Sequence, residues 1–274
     1  MRLVSVALLC FTVIALPAAT SGDATGYFLR VSGNRPYGVV FDGHGFMYMV
    51  TAPDSGAGTL SRVDPNGRVV DVCTLNGTFI GPGITLDTEG NLLVTLGNRL
   101  VRISPAGNAV TVADGFKRCF DVKLDCRGNI YVADDCAGAI YRIAPGKPRD
   151  IFYQSDTTGS FRLTGMCFDS RCRHLFLRDG RKLLRIPIRP DSRPGDPETI
   201  LDAVDLFYLC AGRDSTMYAS TPTIVIRVDG RNRFMALSGT RLNAPAGLAL
   251  GGEGFEENNL YVTVADGIVC VPIR

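Results

Sequence analysis

The sequence has few of the residues on which several common kinds of catalytic and metal site depend. It contains only two histidines, His44 and His174, and no cysteine pair in the C-x-x-C spacing. A zinc site of the usual Cys/His type is therefore not expected. Both histidines fall in turns between apolar strands, where an exposed turn residue is favoured over a catalytic base. Basic residues form no cluster or stripe and the formal net charge is only +2, so nothing indicates a nucleic-acid partner.

Long apolar runs are also missing, except for one at the N-terminus. Arg2 precedes the run from Leu3 to Leu16, and small residues follow it up to Gly22. This order of a charged region, a short apolar region and a small-residue cleavage zone is typical of a signal peptide. We expect residues 1–22 to be removed and residues 23–274 to form one exported domain, secreted or periplasmic, with no membrane span.

A pattern of roughly 40 residues repeats six times along the rest of the chain. A copy has an apolar strand opening on Gly or Asp, an Asp-x-x-Gly turn, a second strand and a Leu/Ile-x-Arg-Val/Ile segment, which lacks the arginine in the sixth copy. One such unit cannot bury its own apolar face, so neighbouring units must stack. The arrangement predicts an all-β fold, a six-bladed β-propeller, which we expect to be monomeric. The arginine of the third strand recurs at Arg62, Arg102, Arg142, Arg185 and Arg227.

The recurrent arginines have two interpretations. They could form an anion-binding ring, or each could lie on an outer strand with its stem packed and its head solvated or paired with a carboxylate. Equivalent positions in separate blades are spread around the rim and do not converge, which favours the second interpretation.

The last repeat is one strand short. After it the chain ends, whereas a spare strand, Tyr27–Val31, precedes the first repeat. We expect this segment to supply the fourth strand of blade six and so close the ring from both chain ends.

Eight cysteines remain after the signal peptide, an even number that favours disulfides in an exported chain. The alternative is that several are small buried apolar side chains. Cys126 and Cys172 fall in equivalent turns of adjacent blades, and Cys119 and Cys136 flank one blade at the other mouth. We expect these two pairs to form bridges. The sequon Asn76-Gly77-Thr78 makes Asn76 a glycosylation site in a eukaryotic host.

The blade pattern resembles known six-bladed families. The run Asp121–Asp134 is similar to an NHL-type blade, and Leu184–Ile188 with Gly195–Glu198 resembles gluconolactonase, regucalcin and strictosidine-synthase-like proteins. The closing run Pro245–Arg274 is similar to the final blade of the gluconolactonase family. The resemblance covers the mature chain and implies the fold more specifically than the function.

The resemblance to gluconolactonase-like enzymes implies a divalent cation, often calcium, at one mouth of the channel. Its oxygen ligands are a Glu, two Asn and an Asp, each just before the Gly that opens an inner strand. None of the matching positions here is a carboxylate or carboxamide: they are Tyr37, Pro82, Phe120, Thr164, Phe207 and Ala246. We therefore expect no metal and no other cofactor, with calcium retained only if the chain is lactonase-like.

What stands at that mouth favours binding. Aromatic groups near the axis with polar groups around them describe a ligand pocket, although a channel simply plugged by aromatics is the alternative. The residues expected to bind a ligand are Tyr37, Phe120, Thr164, Phe207 and Arg178.

Two acids at the same mouth are candidate catalytic groups. Asp134 and Asp179 end equivalent strands of adjacent blades, and paired carboxylates can divide acid and base roles if they approach closely. The other interpretation is that both are turn-forming. The leading function is thus binding of a small molecule or protein, and the alternative is a divergent lactonase-like hydrolase that uses these acids.

Overall fold

The computed structural model describes residues 14–15, 26–53, 56–79, 81–156, 163–214, 216–229, 234–237 and 241–273. In these ranges the chain forms strands and turns, with no helix that could cross a membrane. Most of the predicted signal peptide, residues 1–13 and 16–22, lies outside the described residues.

The strands form six antiparallel sheets, which are the blades of the predicted six-bladed β-propeller. The four strands of blade one are β3 (Arg35–Phe41), β4 (Met47–Ala52), β5 (Gly58–Val63) and β6 (Val69–Leu75). Blade two has β7 (Ile84–Leu86), β8 (Leu92–Leu96), β9 (Arg99–Ile103) and β10 (Ala109–Ala113). Blade three has β11 (Cys119–Leu124), β12 (Ile130–Asp134), β13 (Ala139–Ile143) and β14 (Asp150–Gln154).

The second half of the ring repeats this order. The strands of blade four are β15 (Met166–Phe168), β16 (His174–Asp179), β17 (Lys182–Pro187) and β18 (Glu198–Leu201). Blade five has β19 (Leu209–Ala211), β20 (Met217–Ser220), β21 (Val225–Val228) and β22 (Phe234–Ala236). Blade six has β23 (Leu248–Leu250), β24 (Asn259–Val264) and β25 (Gly267–Pro272). The second strands are buried on both faces because each blade packs between two neighbours.

The N-terminal strand completes blade six, as predicted. β2 (Gly26–Arg30) pairs antiparallel with β25, with Leu29 opposite Ile268. Leu29 is fully buried, and Phe28 packs edge-on against Phe255 and Tyr261 at 5.6 and 5.4 Å between ring centroids. A two-residue strand, β1 (Ile14–Ala15), pairs with the outer edge of β2 and lies in the segment predicted to be removed.

Aspartates shape the turns between first and second strands. In blade three, one carboxylate oxygen of Asp125 accepts hydrogen bonds from the backbone N–H groups of Arg127 and Asn129, both at 2.9 Å. Asp42, Asp87 and Asp169 bind the backbone in the same way. The carboxylate thereby satisfies N–H groups that the turn would leave without partners, which explains the recurrence of Asp.

The third-strand arginines have the structural role favoured by the sequence. Their heads lie beside carboxylates or a ring on the same blade: Arg102 by Asp87, Arg142 by Asp150, Arg185 by Glu198, Arg227 by Asp214, and Arg62 over the Phe46 ring.

Glycine opens most inner strands because neighbouring blades touch there through their backbones. The Gly247 N–H of blade six donates to the Tyr37 carbonyl of blade one at 2.9 Å. A Cβ atom at Gly247 would lie 2.2 Å from that oxygen, which excludes a side chain. In blade three the equivalent residue is Asp121, whose carboxylate accepts from the backbone N–H of Met166 in blade four at 3.0 Å. Direct backbone contact and one buried carboxylate thus hold the inner ring together.

One of the two predicted disulfides is formed. Cys126 and Cys172 are bonded, with their α-carbons 5.8 Å apart, and link the turns of blades three and four. The Cys119–Cys136 prediction is wrong, because neither sulfur is in a disulfide. Cys119 packs into an apolar cluster with Leu93 and Phe116, whereas Cys136 lies on an exposed turn, so the two side chains have different surroundings.

We predict that Cys126→Ser lowers the free energy of unfolding by about 2–4 kcal/mol, because the bridge restricts the unfolded chain. Cys172→Gly breaks the same bond but should cost about 1 kcal/mol less. The reason is that Cys172 has a φ of 49°, at a turn position where blade three has Gly128 at 77°. Urea unfolding of both variants measures the difference. Equal losses would contradict the strain at Cys172.

Candidate functional site

The candidate site lies where the inner strands begin, which we call the upper face. The inner strands are β3, β7, β11, β15, β19 and β23. Backbone hydrogen bonds show that the predicted mouth positions are equivalent. The Gly83 N–H donates to the Phe120 carbonyl, and the Gly247 N–H donates to the Tyr37 carbonyl, both at 2.9 Å. The sequence alignment of these positions therefore corresponds to one level of the propeller.

Two aromatic rings close the axis at this level. Phe120 and Tyr208 are 5% and 7% exposed, and their ring centroids are 5.5 Å apart. Gly81, with a φ of 66°, lies against both, and a Cβ atom there would be 2.5 Å from Phe120 Cζ and 2.5 Å from the Tyr208 hydroxyl oxygen. The plug anticipated as the alternative to an open pocket is present, and Phe120 is part of it.

Above the plug, an arginine faces an aromatic ring on each of two sides. The Arg35 guanidinium is 5.2 Å from the centroid of the Tyr37 ring, and that of Arg178 is 5.6 Å from the centroid of Phe207. Tyr37 and Phe207 are half-buried, so part of each ring faces solvent. Both contacts are within the range of cation–π attraction. The mouth therefore combines ring surface with positive charge.

Arg178 is anchored by a residue of its own blade. Its Nη1 atom donates to the Thr164 hydroxyl at 2.9 Å, and Thr164 is fully buried. Burial lowers the pKa of the Arg178 guanidinium, against the opposing effect of Asp205 and Asp179. Thr164 thus positions the arginine and is itself buried.

The sequence pointed to Arg178 but missed Arg35 and Tyr208. Arg35 lies three residues before Gly38, beyond the expected start of the inner strand, and only the extension of β3 to Arg35 brings it to the mouth. Its Nη2 atom donates to the Ala244 carbonyl of blade six at 2.9 Å. Tyr208 stands in the strand-opening position that is glycine in most blades, and this departure was the available signal.

Asp134 holds a loop together. It is fully buried and accepts hydrogen bonds from the backbone N–H groups of Lys117, Arg118 and Ala137 at 2.6, 3.0 and 2.9 Å. These donors occupy both carboxylate oxygens. The geometry is that of a turn-forming acid.

Asp179 lies in a separate hydrogen-bond network. Its two oxygens accept from the hydroxyls of Tyr153 at 2.6 Å and Ser155 at 2.7 Å, and it is 1% exposed. Burial and the neighbouring carboxylate raise the pKa of Tyr153, which therefore stays protonated as a donor. Asp134 and Asp179 are thus held by different donors.

The mouth positions do not fit the calcium of the gluconolactonase-like enzymes. Calcium needs several oxygen ligands, preferably carboxylates, and the equivalent side chains here are aromatic, aliphatic or hydroxyl. Arg35 and Arg178 bring positive charge to the same mouth. Among the described residues, no group of three or more His, Cys, Asp or Glu side chains could hold a metal ion.

Two cavities lie away from these residues, and charged groups in both are already paired. One of about 360 Å³ opens below the plug, within the ring of inner strands; its walls are largely apolar, and its ammonium group, Lys123, is paired with Asp121 at 2.8 Å. The other, of about 370 Å³, lies off-axis on the upper face. There Arg118 is paired with Asp135, and Arg99 donates to the Asn76 carbonyl. Asn76 itself is exposed, as a glycan acceptor must be.

Comparison with known proteins agrees with the architecture. No family model and no curated protein matches the chain. Among solved structures, a gluconolactonase of Xanthomonas campestris is similar, with a TM-score of 0.74, 14% identity and coverage of 89% of this chain and 88% of that one. Virginiamycin B lyase of Staphylococcus aureus has a TM-score of 0.62 and 15% identity, covering 96% of this chain and all (100%) of the other.

A third similar structure is that of a nidogen/laminin complex, with a TM-score of 0.66, 19% identity and coverage of 79% and 85% of the two chains. At such identities the likeness shows the fold alone, because propellers carry many unrelated functions. The chain therefore has the six-bladed propeller fold of gluconolactonase-like and virginiamycin-lyase-like proteins.

Proposed function

We propose that this protein is an exported binding propeller that takes a small molecule at its upper mouth. The observation that carries the proposal is the pair of arginine–aromatic contacts, Arg35 with Tyr37 and Arg178 with Phe207, around an axis closed by Phe120 and Tyr208. A concave site with ring surface and a few fixed polar groups is the usual form of a ligand site.

A small molecule is a better match than a protein partner. Among the residues that the structure describes, the large exposed apolar side chains lie on the outermost strands, at Val70, Val110, Ile151 and Met235. A protein interface would need a broad exposed patch, whereas the two rings at the mouth are half-buried.

Export is part of the proposal. The charged and apolar N-terminal segment supports it, and so does the Cys126–Cys172 disulfide, since such bonds persist in oxidising compartments. Sequencing the N-terminus of the protein recovered outside the cytoplasm tests it, with a start close to residue 23 expected.

The binding proposal is tested by thermal unfolding in the presence of a panel of aromatic acids, aromatic alcohols and sugar lactones. We expect at least one compound class to raise the melting temperature of the wild type. The shift should disappear in Phe207→Ser, because the ring surface is removed, and remain in Ile151→Ser, which alters an exposed apolar residue on an outer strand. Equal shifts in both variants would place binding elsewhere.

The lactonase-like alternative makes a separate prediction about calcium. A metal-dependent enzyme should show a higher melting temperature in a tenfold excess of calcium, together with hydrolysis of a sugar lactone. We expect neither, because the mouth offers arginines and aromatic rings in place of carboxylate ligands. Calcium-dependent lactone hydrolysis would replace the binding proposal with the enzymatic one.

A further inference from the structure

The upper mouth holds two buried hydrogen-bond donors that meet no acceptor in the described part of the chain. The Tyr208 hydroxyl is one, in a side chain only 7% exposed, and the Arg35 Nε is the other. A buried polar group without a partner is costly, and natural structures keep few of them. Two at one mouth indicate a place where an acceptor from outside is bound.

Both groups lie at the same mouth, within electrostatic range of each other. Tyr208 packs with Phe120 and Ala246 at the level where the Tyr37 carbonyl bonds to Gly247. Arg35 reaches over the Tyr37 ring to the neighbouring Ala244 carbonyl. Burial raises the pKa of the Tyr208 hydroxyl, the nearby carboxylate of Asp121 adds to that shift, and the charge of Arg35 opposes it. Tyr208 thus remains a neutral donor.

Four of the described acids near the mouth are engaged with other groups. Asp121 is paired with Lys123, Asp179 accepts from two hydroxyls, Asp205 lies by Arg181 and Asp266 by Arg30. Arg35 has no ion pair with any carboxylate that the structure describes. Its charge and the free donor atoms therefore favour a negatively charged acceptor.

We propose that the ligand of the upper mouth carries a carboxylate, which accepts hydrogen bonds from Arg35 and the Tyr208 hydroxyl, next to a flat apolar group that packs on Tyr37 and Phe207. The proposal rests on the binding function above and specifies its ligand class. A carboxylate has two acceptor oxygens in a plane, which suits a guanidinium with a second donor nearby.

Benzoate is the probe, and benzyl alcohol is the neutral control with the same ring. Dissociation constants are measured by calorimetry or by thermal unfolding of the full chain at matched ionic strength. We expect benzoate to bind at least about tenfold more tightly than benzyl alcohol, since a charge-assisted hydrogen bond contributes about that much or more.

Three variants locate the effect. Arg35→Gln should abolish the preference for benzoate, whereas Lys147→Gln, which removes the same charge from an exposed turn of blade three, should leave it intact. Tyr208→Phe removes a hydroxyl without a partner, so its melting temperature should rise by about 2–4 °C. Its affinity for benzoate should nevertheless fall several-fold. A purely structural tyrosine would not give these opposite changes.

The outcomes separate the two proposals. Equal binding of benzoate and benzyl alcohol, both lost in Phe207→Ser, would overturn the carboxylate and keep the mouth as a binding site. Preference for benzoate that persists in Arg35→Gln and Tyr208→Phe would also overturn it. Binding of both probes that is unaffected by Phe207→Ser would instead overturn the function itself.

Discussion

Deleting residues 26–31 is expected to abolish cooperative folding of the propeller. These residues contain β2, the outer strand of blade six, so the deletion removes the pairing with β25 and exposes an unprotected edge. It also removes the fully buried Leu29 and the Phe28 ring that packs on Phe255 and Tyr261. Losing two such side chains costs more than about 5 kcal/mol, which is comparable to the whole stability of a typical domain.

The measurement is thermal and urea unfolding followed by circular dichroism. A chain that begins at residue 23 is the control and should unfold like the full chain. Leu29→Ala gives a graded version and should lose about 2–5 kcal/mol, because it leaves a cavity at a fully buried position. An unchanged melting temperature after the deletion would mean that β2 is dispensable for closing the ring.

Asp134→Ala is expected to destabilise the fold by about 3–6 kcal/mol. The substitution leaves the partly buried N–H groups of Lys117, Arg118 and Ala137 without their acceptor. Each buried donor that loses its partner costs about 1–3 kcal/mol. The loop between Lys117 and Cys119, which leads into β11, should loosen first, and amide hydrogen exchange there reports it.

Asp150→Ala is the matched control, since it removes an exposed carboxylate paired with Arg142 on the same blade. It should cost less than about 1 kcal/mol. Asp134→Asn should fall between the two, because the amide keeps one acceptor oxygen but turns a donor toward backbone N–H groups. A stable Asp134→Ala protein that had lost a lactone-hydrolysing activity would restore Asp134 as a catalytic candidate.

The fold was predictable because its determinants are local and repeated. The Asp-x-x-Gly turns and the Arg-containing third strands recur in register, and each works within its own blade, as Asp125 and Arg142 do. Closure by β2 followed from counting strands. These inferences need only the strand period and the requirement that every blade edge be covered.

The site was predictable only in part. Tyr37 and Phe207 were expected at the mouth from their place before the inner strands, and both are half-buried there. Arg35 was missed because it precedes the repeat unit, and its position depends on the length of β3. Asp134 and Asp179 looked like a catalytic pair because spacing reveals where a carboxylate is but not which N–H or O–H groups occupy its oxygens.

The cysteines show the same division. Cys126 and Cys172 lie in rigid, equivalent turns of adjacent blades, so sequence position nearly determines their distance, and the bridge is present. Cys119 and Cys136 are also brought to one end of a blade, but one side chain turns into the core and the other into solvent. Proximity along the repeat does not specify the direction of a side chain.

The sequence by itself therefore determined the number of blades, the way the ring closes and the absence of the expected ligand types at the positions that hold calcium in gluconolactonase-like enzymes. Only the tertiary structure decided that Phe120 and Tyr208 close the axis and that Asp134 and Asp179 are held in separate networks. It alone also brought Arg35 to a mouth with unmet donors. The physical reason is that periodicity sets backbone positions, whereas burial, hydrogen-bond partners and charge depend on side chains from blades far apart in the chain.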